Sequence, residues 1–173
     1  MSLQPPVTAA DRSLGPANAP VTLVEFGDYQ CSYCGQAHDI VKSLIAEFGD
    51  SLRYVFRNYP LVQIHPYALG AALVAEAASP DQFWALHDLF YANQDALDAD
   101  DLIVMAGRVG ISEEAAVAAL NGGTQAKIRA DVESGDASGL EGTPSFFING
   151  KRHEGDWGLA ALTTAVRAAA NAR

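Results

Sequence analysis

The chain has only two cysteines among its 173 residues, Cys31 and Cys34, and no second Cys-x-x-Cys. Two near neighbours cannot make the multi-bridge framework of a disulfide-stapled scaffold. A closed zinc site would need two more ligands, and His38, His65, His87 and His153 are scattered without a paired spacing. No run of about 18 apolar residues exists, so nothing in the sequence reads as a membrane span. Basic residues are scarce, 11 against 21 acidic ones, and a formal charge of −10 repels a phosphate backbone, so nucleic acid is not an expected partner. Met1 to Pro6 lacks the basic and apolar stretches of an export signal. As written the chain therefore reads as cytoplasmic, or as extracytoplasmic if such a signal has been removed. Internal repeats are missing, and so are low-complexity tracts beyond alanine enrichment in helices.

What remains is ordinary globular material, 49% hydrophobic and 18% charged, with enough length for one well-buried domain. Its organising stretch is Val21 to Phe48. Val21 to Phe26 is an apolar, β-branched run that reads as a buried strand, ended by Gly27 and Asp28. Ile40, Val41, Leu44, Ile45 and Phe48 then fall on one helical stripe, and Gly49 stands where that helix should stop. Both cysteines therefore sit at the start of the helix, where free N–H groups and the positive end of the dipole favour a thiolate. Cys31 is expected to be the more exposed, with a depressed pKa. Cys34, three residues on and on the same face, can reach it. The pair reads as an attacking thiol with a resolving thiol beside it.

Met1 to Asp11 is Pro-rich and weakly patterned, and is expected to be a mobile arm with a short edge strand near Val7. Leu52 to Asn58 alternates as a second strand, parallel to the first through the intervening helix. From His65 to Leu140 no strand pattern appears. Helices are expected over His65 to Ala78, after Ser79 with Pro80 and Gln82 as its start signal, after Asp98, after Ser112, and from Thr124. Ser145 to Ile148, Asn149-Gly150 and Lys151 to Glu154 read as a hairpin, and Trp157 to Ala170 as a closing helix. Consecutive helices over some 75 residues exceed any connection and form a subdomain. The expected division is a discontinuous domain of 1–64 and 139–173 with a helical insertion at 65–138.

Strand, turn, Cys-Ser-Tyr-Cys, amphipathic helix and, much later, Gly142-Thr143-Pro144-Ser145 together resemble the DsbA-like disulfide oxidoreductase family, from about Leu14 to Ala170. The resemblance implies an α/β thioredoxin fold with an all-helical insertion and thiol-disulfide exchange with protein or peptide thiols and a redox partner protein, with no dissociable cofactor. It also implies a cis Thr143-Pro144 bond facing the cysteines, with the Thr143 backbone free to align a substrate segment. Glu25, alone among apolar strand residues, is either an edge carboxylate in water or, as at the matching place in the family, a buried proton acceptor for Cys34. Ser32 departs from the Pro that the family often carries after its first cysteine, which bears on oxidising strength. No role is expected for His38, and Phe83, Trp84, Phe90 and Tyr91 read as helix core. Two other readings stay open at this level: a metal carrier using both cysteines, and a chaperone-like peptide-binding module.

Overall fold

Two seven-residue strands, Val21–Gly27 (β2) and Leu52–Asn58 (β3), form the centre of the computed structural model, which describes residues 1–172. They run parallel, with Leu23 beside Tyr54 and Glu25 beside Phe56, and are joined by the helix Ser32–Phe48 (α1). Arg12–Leu14 (β1) adds antiparallel to β3, Ser145–Ile148 (β4) antiparallel to β2, and Lys151–Arg152 (β5) to β4, giving the order β1-β3-β2-β4-β5. This is a thioredoxin fold with a mixed five-stranded sheet. Glu25 therefore lies on a central strand, with Phe56 and Phe146 as its lateral neighbours, and not on an edge.

Between β3 and β4 the chain runs through Ala68–Ala75 (α2), Pro80–Ala92 (α3), Ala99–Arg108 (α4), Glu113–Ala118 (α5) and Gln125–Ala137 (α6), and it closes with Leu159–Asn171 (α7). The start signals act as their chemistry dictates. The Asp98 carboxylate accepts from the Asp101 N–H at 2.9 Å, and the Ser112 hydroxyl accepts from Ala115 N–H at 3.1 Å. The Gln82 side chain accepts from the Ser79 N–H at 3.0 Å. The predicted first helix is shorter than expected at both ends, since Pro66 lies before its start and the chain leaves helix after Ala75.

One face of the sheet, with Leu23, Tyr54, Phe56 and Phe146, packs against buried residues of α1 and α7 (Val41, Leu44, Leu162, Val166) and of α3 (Phe83, Leu86, Phe90). The other face, with Val24, Phe26, Val55 and Phe147, is covered by a smaller cluster that includes Leu3. Both faces of the parallel pair are thus dry, as parallel sheets require.

The N-terminal segment packs onto the domain and is not the mobile arm that its composition predicts. Leu3 is buried, its N–H donates to Gly150 O at 2.9 Å, and Ser2 bridges to Lys151, so the first residues extend the sheet beside β5. No strand forms at Val7; the edge strand is Arg12–Leu14. Residues between are fixed by Arg57, a buried cation on β3. Its guanidinium donates to both Asp11 carboxylate oxygens at 2.8 and 2.9 Å, to Pro5 O and Pro6 O, and to the Ser134 hydroxyl of α6. Burial pushes the Asp11 carboxyl up, but hydrogen bonds from Arg57 and the Thr8 N–H, with the Arg57 and Lys127 charges, hold it below its ordinary value.

Removing one partner of a buried ion pair strands the other. Asp11→Ala is therefore expected to lower unfolding stability by about 3 kcal/mol at neutral pH in urea titrations. Because the folded pKa of Asp11 lies below its unfolded one, that difference is complete above the ordinary carboxylate range and shrinks as pH falls through the lowered value. A loss of the same size at pH 2 as at pH 7 contradicts this account.

Candidate active site

The turn between β2 and α1 is shaped by one carboxylate. Asp28, buried at the end of β2, accepts through one oxygen from Gln30 N–H at 2.7 Å and Cys31 N–H at 3.1 Å, an Asx-type turn. Its other oxygen accepts from Leu61 N–H and meets His65 Nδ1, both at 2.8 Å, tying the turn to the loop after β3. From the turn just after α3, the Gln94 amide donates to Tyr29 O at 2.9 Å and Cys31 O at 2.8 Å. Gly35 permits that approach, since a Cβ there would lie 2.3 Å from Gln94 Oε1. The Cys31 backbone is thereby held from both sides before α1 begins.

Cys31 is the N-cap of α1 and Cys34 lies in its first turn. Both are free thiols. Cys31 keeps 5% of its surface exposed and Cys34 none, so an incoming sulfur can meet only the former. Hydrogen bonding from the Cys34 thiol is the largest influence on Cys31; with backbone N–H groups of the first turn and Thr143 it outweighs burial and brings the pKa down from 9.0 to about 5. Burial, the Cys31 sulfur and the Glu25 charge push Cys34 the other way, well above an ordinary thiol.

Alkylation of the reduced protein by iodoacetamide is accordingly expected to rise with pH around a midpoint near 5, with only Cys31 labelled until the protein unfolds. Peptide mapping of the product would show it, and first labelling near pH 9 or on Cys34 would contradict the asymmetry.

Thr143 and Pro144 arrive from the opposite end of the sequence. Their peptide bond is cis, and the Thr143 carbonyl oxygen stands 3.8 Å from Cys31 Sγ. The Thr143 hydroxyl is buried and otherwise unpartnered, and its influence on both sulfurs favours the ionised forms. Glu25 is 1% exposed, beneath the cysteines on the same face of the sheet as Tyr54. Burial raises its pKa from 4.5 to about 8, partly offset by the Tyr54 hydroxyl, which donates to Oε2 at 2.5 Å; the Cys31 charge adds to the rise. All five residues singled out in the sequence thus converge: Cys31, Cys34, Glu25, Thr143 and Pro144.

Around them lie further groups, of which the sequence announced some and not others. Asp28 carried a legible signal, an Asp three residues before Cys31 in a turn. Gln94 and Tyr54 carried none, because their contacts close over 63 and 29 residues. His87 is buried, meets Tyr29 Oη through Nδ1 at 2.8 Å, and is kept neutral by burial. His38 stacks on Tyr91 and pairs with Asp88 at 3.1 Å, both residues of α3. Among the described residues no group of three or more His, Cys, Asp or Glu side chains is arranged to hold a metal ion, and no helix is long and apolar enough to cross a membrane.

A family model described as thioredoxin matches residues 8–168. Among curated proteins, the Na(+)/H(+) antiporter NhaA 3 of Salinispora tropica is 44% identical over 161 residues, which are 92% of this chain and 24% of the antiporter. The antiporter NhaA of Nitrosospira multiformis is 37% identical over 160 residues, 91% of this chain and 26% of that protein. The chain thus spans about a quarter of the length of these relatives. Among solved structures, oxidised BdbD from Bacillus subtilis superposes with a TM-score of 0.87 at 23% identity, covering 98% of this chain and 97% of that one. A thioredoxin-like oxidoreductase from Silicibacter pomeroyi gives 0.79 at 26% identity, over 96% and 95% of the two chains. DsbA-type proteins are among these neighbours, including alpha-DsbA1 of Wolbachia pipientis at a TM-score of 0.83 and 20% identity, over 95% and 92%.

Proposed function

Because the chain belongs to the thioredoxin family, we propose that it is a DsbA-like thiol-disulfide oxidoreductase that exchanges disulfides with protein thiols through Cys31 and Cys34. The observation that carries this reading is the asymmetry of the two sulfurs. One is reachable and ionised near neutral pH, and the other is sealed and protonated.

In the oxidised protein a substrate thiolate attacks Cys31 Sγ, and the Cys31–Cys34 bond breaks. Cys34 leaves with the electron pair and takes a proton, for which protonated Glu25 is the donor. A second substrate thiolate attacks the substrate sulfur of the mixed disulfide and expels the Cys31 thiolate. The substrate has then lost two electrons and the protein gained them. Run backward, Glu25 removes the Cys34 proton so that Cys34 can break the mixed disulfide. A thiolate with a pKa near 5 is a good leaving group, which favours the oxidising direction. Thr143 and Pro144 are assigned to aligning the substrate segment beside Cys31.

Protein substrates fit the surroundings. Tyr33 is 60% exposed between the cysteines, and Val62, Ile64 and Tyr67 are exposed on the loop that Asp28 and Gln30 tie to the Cys31 turn. We further assign 1–64 and 139–173 to the thioredoxin domain and 65–138 to a helical subdomain that supplies Gln94 and His87 to the site. Na(+)/H(+) exchange names whole proteins of which this chain matches 24% to 26%.

The test is stoichiometric. Oxidised protein is mixed with a reduced, unfolded peptide carrying two cysteines, and both partners are weighed by mass spectrometry. One peptide disulfide should form for each Cys31–Cys34 pair reduced. Absence of transfer with the pair demonstrably oxidised would end the proposal.

A further inference from the structure

Glu25 offers two oxygens, and only one has a partner. Oε2 accepts a hydrogen bond from the Tyr54 hydroxyl at 2.5 Å, whereas Oε1 is buried with no hydrogen-bond partner. A buried, unpartnered carboxylate oxygen is costly in a structure that satisfies most of its interior. It becomes intelligible as the oxygen kept free for a proton. From the geometry we infer that Tyr54 is the positioning residue of this site: its hydroxyl engages one oxygen of Glu25 and leaves the other open for the Cys34 proton, directly or through one water. This deepens the proposed function and rests on its assignment of Glu25.

The surroundings leave Tyr54 alone in that task. Tyr54 and Glu25 are diagonal neighbours on parallel strands, since Tyr54 is level with Leu23 and Glu25 with Phe56. The strand on the other side presents Phe146, and α7 buries Leu162 and Val166, all apolar. The titratable groups that act on Glu25 or feel it are Cys31 and Cys34 at the start of α1, Tyr29 in the turn, Tyr91 on α3, and Tyr54. The Tyr91 hydroxyl is buried without a hydrogen-bond partner, and a Cβ on Gly27 would lie 3.0 Å from it. Tyr54 is thus the group that supplies a hydrogen bond to Glu25. Tyr54 does not touch either sulfur in a hydrogen bond, so its action passes through Glu25.

The test uses Tyr54→Phe, which keeps the ring and its packing on Trp84. Reduced protein is mixed with an aromatic disulfide whose thiolate product is coloured. The first phase of colour reports Cys31 attack and the second reports resolution by Cys34. Without the hydroxyl the carboxylate is less favoured, so the rising limb of the second phase against pH moves upward by about one unit, about tenfold in rate at a fixed pH below the midpoint. The first phase keeps its rate and its own midpoint. If the second phase keeps its midpoint, or both phases slow together with neither midpoint moved, Tyr54 is only structural and the inference is wrong. Glu25→Gln in the same assay separates the two levels. If it leaves the second phase and its pH profile untouched, the assignment of Glu25 fails and takes the role of Tyr54 with it; if it flattens the profile while Tyr54→Phe changes nothing, Tyr54 alone is refuted.

Discussion

Cys34→Ser is expected to convert the protein into a trap: it forms mixed disulfides through Cys31 with substrate proteins and cannot release them, while Cys31→Ser forms none. The physical basis is the division of labour in the first turn of α1. The nucleophile needs exposure and a stabilised thiolate, which Cys31 has through its N-cap position and its hydrogen bonds from Cys34 and the first-turn backbone. The resolving thiol needs the reverse, a buried site beside the same sulfur, which Cys34 has. Serine at 34 preserves a hydroxyl donor to Cys31 and removes only the sulfur that closes the cycle. Non-reducing electrophoresis after reaction with oxidised protein substrates measures the outcome. Adducts that accumulate in Cys34→Ser and vanish on adding dithiothreitol are the predicted result. Equal adduct levels in the two single variants, or none in either, would contradict the roles.

The second large effect belongs to Glu25→Gln. General base catalysis by a positioned side chain contributes on the order of 10²–10⁴-fold, so the resolution step should slow by about a hundredfold at pH values where the parent carboxylate is ionised. A stability consequence of opposite sign accompanies it. The folded pKa of Glu25, about 8, lies above its ordinary value of 4.5 because burial disfavours the charge. Ionisation in the unfolded chain therefore draws stability away from the native state as pH rises from 4.5 toward 8, and the cost is complete above that window. The glutamine variant carries no such cost, so denaturant melts should find it gaining on the parent from acid to alkaline pH. A slower enzyme that is more stable at high pH is the signature of a residue kept for chemistry. Parallel stability curves for the two proteins would show that Glu25 is ionised at no cost and is not buried as described.

How much of this could be read without coordinates follows from the range of each interaction. The strand at Val21, the helix after it and the cysteines at its tip depend on local periodicity and a terminating glycine, and all were legible. So were the capped helices at Asp98 and Ser112, where signal and partner are three residues apart. The packing of the N-terminal arm was not legible because its order is not local. Leu3 is ordered by Val24, Phe26 and Phe147, and Pro5 and Pro6 by an arginine over 50 residues away. The hairpin partner is shorter than its pattern, Lys151–Arg152, and its outer edge is taken by Met1 and Ser2. At the site, the burial of Glu25 could be expected only through family likeness, since a lone acid in an apolar strand fits an edge as well. Tyr54 alternates like any half-buried strand residue, and nothing in the sequence says that its hydroxyl ends on a carboxylate.

The most direct test of the account is the reduction potential of the Cys31–Cys34 pair, measured by equilibrating the protein with defined ratios of reduced and oxidised glutathione. A thiolate stabilised to a pKa near 5 favours the dithiol form, so the pair should titrate as a single two-electron couple, well above the value of about −270 mV typical of thioredoxin and toward the roughly −120 mV of DsbA. A pair that stays oxidised at every glutathione ratio, with a potential below about −300 mV as in structural disulfides, would contradict it.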